Sequence, residues 1–128
     1  MKIPSWIDET VALCSHEESL AKQGGAEGVR DMGLLESALK RPQNLWHYSD
    51  PKPDTAALAA SLAHGIAKNH PFFDGNKRTA WMLCRLMLRL NRCDIQASDN
   101  EKYDAMLALA AGEWSEEEFA AWLRSHLV

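Results

Sequence analysis

Apolar residues recur every three or four positions along most of the chain, the spacing of helices with one buried face. No stretch keeps the strict alternation that marks a half-buried strand. Ser5 can cap a first helix to about Lys22, with Ile7, Val11 and Cys14 on one face, and "QGGAEG" stops it because Gly24 or Gly25 can turn left-handed. Asp31 caps a second helix with Leu34, Leu35, Ala38 and Leu39 inward, and Pro42, which lacks an amide donor, is expected to close it. The stretch "RPQNLWHYSDPKPD" holds three prolines and predicts an irregular segment or a short hairpin near residues 43–52.

Asp54 opens a third helix with Ala57, Leu58, Leu62, Ala63 and Ile66 inward, and Gly65 allows a close neighbour. His70-Pro71 ends it, since a residue before proline is pushed out of the helical region. From Lys77 to about Asn91 apolar side chains cover nearly the whole circumference, which predicts a central, buried helix. Its polar stripe is Arg78, Arg85, Arg89 and Arg92, the last three read as a solvated face. Ser98 with Glu101 and Ser115 with Glu118 have capping-box spacing and start two more helices, separated by Gly112. The reading is an all-α fold, a compact bundle of about six helices around a buried central helix, with at most one short β-hairpin.

Length and composition narrow this further. A chain of 128 residues, 46% hydrophobic and 25% charged, has room for one packed core, so residues 1–128 form a single domain. Arg85, Arg89 and Arg92 interrupt the longest apolar run, leaving nothing near the roughly 20 residues of a membrane span. The opening "MKIPSW" turns polar at Asp8 and Glu9, too soon for the hydrophobic region of a secretory signal. A cytoplasmic location is the expectation. Cys14, Cys84 and Cys93 are odd in number and far apart, as reduced thiols are. A net charge of −4 disfavours general nucleic-acid affinity, where counterion release rewards a basic face.

One short stretch concentrates the chemistry. "HPFFDGNKR", His70 to Arg78, sets an imidazole, a carboxylate, a glycine, an amide and two cations at the start of an apolar helix. Unpaired amides and the macrodipole make such a helix start an anion site. Gly75 leaves the backbone approachable, Asn76 brings an amide donor, and Arg78 offers a fork for two phosphate oxygens. Asp74 is a hard oxygen ligand of the kind Mg²⁺ takes alongside phosphates and water. An imidazole ordinarily titrates at about 6.5, so a histidine can accept a hydroxyl proton near neutral pH. These parts suit phosphoryl transfer, which asks mainly for positioning and charge stabilisation. Taken one at a time, they also make a structural turn with solvated charges. Reading the third and fourth helices as a DNA-binding pair fails on the apolar character of the fourth, so no direct DNA binding is expected.

The same nine residues resemble the active-site motif of the Fic/Doc superfamily, which runs His-x-Phe-x-acid-small-Asn, then Gly or Lys, then Arg. The stretches "GGAEGVRDMGLLESALKRPQN" and "LAAGEWSEEEFAAWL" are similar to the death-on-curing (Doc) branch, so the likeness covers nearly the whole chain. The resemblance implies a catalytic base or acceptor-orienting residue at His70 and a magnesium-associated acid at Asp74. It gives Gly75, Asn76, Lys77 and Arg78 contacts to ATP phosphates and has Phe72 pointing inward to anchor the loop. The family's flap, which aligns the target segment, corresponds to the region of Trp46, His47 and Tyr48.

Lys77 selects the branch. Where many members carry Gly, the outer phosphates sit in a backbone hole while AMP is transferred to a hydroxyl. A lysine crowds that hole, and the resemblance then implies reversed ATP binding and delivery of the γ-phosphoryl group to a threonine of elongation factor Tu. It also implies a toxin that arrests translation and is held off by an antitoxin whose C-terminal segment folds into a groove. The alternatives are an AMP-transferring enzyme and a catalytically inactive regulator that acts through a partner.

Overall fold

The computed structural model describes residues 3–128, and among them lie six helices: α1 (Glu9–Gln23), α2 (Met32–Tyr48), α3 (Thr55–Asn69), α4 (Asn76–Leu90), α5 (Asp99–Ala111) and α6 (Glu116–Ser125). Five of them begin on a side-chain cap. Asp8, Asp31 and Asp54 accept the amides of Val11, Leu34 and Ala57, and both predicted capping boxes are formed, at Ser98/Glu101 and Ser115/Glu118. The cap of α1 is therefore Asp8 and not Ser5. Ser5 instead exchanges backbone hydrogen bonds with the side chain of Asn91, tying the N-terminal segment to the end of α4. The sixth helix, α4, begins on Gly75 with no side-chain cap.

Two further expectations are corrected. Pro42 does not close α2, which runs on to Tyr48, so the hairpin near residues 43–52 is absent and Trp46, His47 and Tyr48 are helical. The proline removes one ladder bond, but it lies on the buried face with Leu35, Ala38 and Leu39, and packing there outweighs the local loss. Lys52 then folds back to donate to the Trp46 carbonyl oxygen (2.6 Å), satisfying an acceptor near the helix end. Strand pairing among the described residues is confined to two isolated antiparallel bridges, Val29 with Phe72 and Ile95 with Leu127.

The central helix is α3 rather than α4. Ten of the fifteen residues of α3 are buried against seven of fifteen in α4. Six of those ten are alanine or glycine, so neighbours approach α3 from several sides. The larger Trp81, Met82 and Leu86 of α4 stay partly exposed around its rim. Closest approach is at Gly65, where an added Cβ would lie 2.7 Å from Arg41 Cδ and 3.1 Å from Ala38 Cβ of α2. On the other side α6 is tied to the start of α3 by a two-pronged Arg124–Asp54 pair (2.5 and 3.0 Å). The arginine stripe of α4 is also less free than predicted. Arg85 and Arg89 both hold Asp94 (3.0 and 3.1 Å), fixing the chain as it leaves the helix. All three cysteines are unpaired, and no helix among the described residues is long and apolar enough to cross a membrane.

Candidate active site

The link from α3 to α4 is six residues long, and neighbouring groups hold nearly every backbone group in it. His70 caps α3 in the left-handed conformation (φ 48°, ψ 56°), an uncommon state for a residue with a side chain. Its carbonyl oxygen and that of Asn69 both accept from the Arg30 guanidinium (2.8 Å each). The Pro71 carbonyl accepts from the amides of Arg30 and Asp31 (2.7 and 3.1 Å), and the Phe73 amide donates to Gly28 (3.3 Å). The segment between α1 and α2 thus braces the link along its length.

Phe72 turns inward as expected and is 1% exposed, while Phe73 is 61% exposed beside it. The Asn76 side chain closes the turn. Its Oδ1 accepts from the Phe72 amide (3.0 Å) and its Nδ2 donates to the Phe72 carbonyl (2.9 Å). Oδ1 and one Nδ2 hydrogen of that side chain thus shape the loop. The first turn of α4 also offers backbone. Thr79 N–H makes the first intrahelical bond, to Gly75, so the amides of Asn76, Lys77 and Arg78 have neither an intrahelical acceptor nor a side-chain cap. Gly75 itself is left-handed (φ 75°), and a Cβ there would meet Arg78 Nη2 at 3.0 Å.

Asp74 is held by backbone. The amides of Gly75 (2.8 Å) and Ala26 (3.3 Å) donate to its two oxygens and keep its carboxyl below the ordinary range, with the Arg78 charge nearby acting in the same direction. The carboxylate is exposed and ionised at neutral pH. The Arg78 guanidinium donates to the Gln23 side chain (3.1 Å) and the Gly24 carbonyl (2.9 Å), and so fixes itself on the end of α1.

These side chains share one cleft. His70, Phe73, Asp74, Gly75, Asn76, Lys77 and Arg78 line it together with Gln23, Gly24 and Gly25, enclosing ≈ 560 Å³. His70 and Lys77 also border a second hollow along α5, formed with Asp104, Leu107 and Glu113. Lys77 and Arg78 border a third, mainly apolar slot with Trp81, Tyr103 and Met106. All six residues singled out from the sequence as catalytic or phosphate-holding (His70, Asp74, Gly75, Asn76, Lys77 and Arg78) therefore meet at one opening. An ionised carboxylate, a row of unpaired amides and two cations suit a polyphosphate with a divalent cation. Asp74 is the one carboxylate lining this cleft among the described residues, so a Mg²⁺ ion held there would draw its other ligands from phosphates and water.

Sequence reasoning missed two contributors, His16 and Arg30. Arg30 reaches the link through carbonyl oxygens forty positions away, which leaves no mark in a local pattern. His16 had a signal: it shares the inward face of α1 with Ala12 and Ser19 at positions 12, 16 and 19. A buried imidazole on a face otherwise made of small residues needs a partner.

The description Fic/DOC family fits residues 6–88 of this chain. The chain is 42% identical over 74 residues to "Toxin Doc" of Mycolicibacterium smegmatis, a match covering 58% of this chain and 57% of that protein. It is 33% identical over 118 residues to "Protein kinase doc" of Escherichia phage P1, covering 91% of this chain and 90% of that protein. With the motif, the six-helix architecture and matches of this extent in agreement, the chain belongs to the Fic/DOC family, on its death-on-curing (Doc) branch.

Proposed function

We propose that this protein transfers the γ-phosphoryl group of ATP to a serine or threonine hydroxyl of a protein, with a threonine of elongation factor Tu as acceptor. The effect is to block translation in the cytoplasm. The observation that carries the reading is the shared cleft, in which the exposed His70 side chain, Asp74, Lys77, Arg78 and the uncapped first turn of α4 border one space. The name of the phage P1 relative, a protein kinase, supports transfer of phosphate over transfer of AMP.

His70 accepts the hydroxyl proton on an imidazole nitrogen as the hydroxyl oxygen forms its bond to Pγ. The bond from Pγ to the β–γ bridging oxygen breaks, and ADP leaves with that electron pair. Lys77, Arg78 and the amides of the first turn of α4 hold phosphate oxygens and offset the charge that builds on them. Asp74 would hold Mg²⁺, which would supply neutralisation of phosphate charge when bound. Phe72 and Asn76 keep these groups in register through burial and the paired hydrogen bonds between them.

In this reading the protein is the toxin of a toxin–antitoxin pair, in keeping with the name of the mycobacterial relative. The antitoxin's C-terminal segment occupies a groove on the helical surface. Mass spectrometry of host proteins after brief expression tests the whole proposal. One phosphoryl group on a threonine of elongation factor Tu, missing when His70→Ala is expressed, is the expected result. An added AMP, or no added mass, contradicts it.

A further inference from the structure

His16 lies 58 positions before Asp74 in the chain, yet its Nε2 is 2.8 Å from the Asp74 carbonyl oxygen. A carbonyl oxygen only accepts, so the proton is on Nε2 and the imidazole donates. The ring is 3% exposed and lies flat on Phe72, with centroids 3.9 Å apart and planes 7° from parallel. Two neighbouring features of the loop, the Phe72 ring and the Asp74 backbone, are therefore set by one side chain on α1.

The bond has leverage because of what else belongs to that peptide unit. The Asp74 carbonyl and the Gly75 N–H share one rigid plane. The same Gly75 N–H donates to Asp74 Oδ1 (2.8 Å), so fixing the plane also fixes the direction of the carboxylate. Gly75 is the left-handed residue from which α4 begins, so the plane sets the entry to the uncapped first turn as well. Packing alone does not require this: a phenylalanine ring would cover Phe72 equally well and would need no partner.

Resting on the phosphoryl-transfer reading above, we propose that His16 is a positioning residue for the reaction. Its Nε2–H, given to the Asp74 carbonyl, holds the Asp74–Gly75 peptide plane and through it aims the Asp74 carboxylate and the start of α4 at the bound nucleotide. His16 acts through Asp74.

Two substitutions separate the donor from the ring. His16→Phe keeps a flat ring over Phe72 and loses the donor, whereas His16→Gln loses the ring and keeps a side-chain N–H. With purified elongation factor Tu, ATP and Mg²⁺, His16→Phe is expected to remain folded while kcat falls about 10–100-fold and half-saturation by Mg²⁺ moves to higher concentration. His16→Gln is expected to recover most of that kcat. Wild-type kcat in His16→Phe, or His16→Gln performing no better than His16→Phe, overturns the proposal, since a merely structural role lowers melting temperature in both and leaves the rate per folded molecule alone. Nitrogen-15 NMR of the unmodified protein gives a reading that needs neither variant nor activity. The Nε2–H tautomer at His16 is expected, and a neutral ring with its proton on Nδ1 overturns the assignment. A wild-type chain that transfers no phosphate contradicts the proposed function instead, and the tautomer still decides whether His16 holds the peptide plane.

Discussion

His70 is exposed and makes its hydrogen bonds through backbone, so its side chain is free for chemistry and contributes little to packing. His70→Ala is accordingly expected to abolish transfer while leaving the melting temperature within a few degrees of wild type, checked by calorimetry alongside a transfer assay. Phe72 is the opposite case. Its ring is enclosed and stacked on His16, so Phe72→Ala is expected to destabilise the fold by about 3–5 kcal/mol in urea titration. The inward turn of Phe72 was legible through the resemblance of the nine-residue motif to the family pattern. The commitment of Asn76 to the Phe72 backbone was not legible. An asparagine at a helix start offers its amide equally to a ligand or to a neighbouring peptide group, and only the closed turn decides between them.

Helix starts were read most accurately where the signal is contained in four residues. The Ser98/Glu101 and Ser115/Glu118 boxes and the caps at Asp31 and Asp54 need no information from elsewhere in the chain. The end of α2 was misread because the cost of Pro42 is local whereas the compensating burial is tertiary. Choosing α4 over α3 as the centre had a related cause: large apolar residues signal hydrophobicity, but small ones let neighbours come close. Gly65→Val tests that directly. Its side chain has no room between Arg41 and Ala38, so the melting temperature is expected to fall and far-ultraviolet helicity to persist.

Where α4 ends, hydrogen bonding from Arg85 leads the forces that lower the Asp94 carboxyl from 3.8 to about 2, with Arg89 assisting. A depressed carboxylate contributes stability that is complete above its ordinary value and is lost as pH falls through the folded value. Melting temperature is therefore expected to drop as acid is added between about pH 4 and pH 2, and Asp94→Asn to flatten part of that slope. Asp54, lowered chiefly by its hydrogen bond to Arg124, acts in the same direction and accounts for part of the slope that remains.

The molecule as a whole uses a packed helical body to hold one short link open to solvent. α3 ends at the link, α4 begins from it, and the segment from Gly24 to Asp31 braces it from outside. That brace is the part the sequence concealed. Its bonds run from residues 26, 28, 30 and 31 to residues 69–74, and no periodicity or capping pattern records contacts between positions so far apart. Under the proposed function, expression without a restraining partner is expected to stop growth, and His70→Ala to restore it, as read by culture density. Unchanged growth with the wild type would favour a catalytically inactive regulator. The claim on which the account turns is that the cleft beside His70 delivers the terminal phosphoryl group and not the AMP portion. Purified protein, Mg²⁺ and elongation factor Tu, with ATP labelled at the γ-phosphorus in one reaction and at the α-phosphorus in another, test it directly. Label is expected on the factor from γ-labelled ATP alone, and label arriving from α-labelled ATP would contradict that claim.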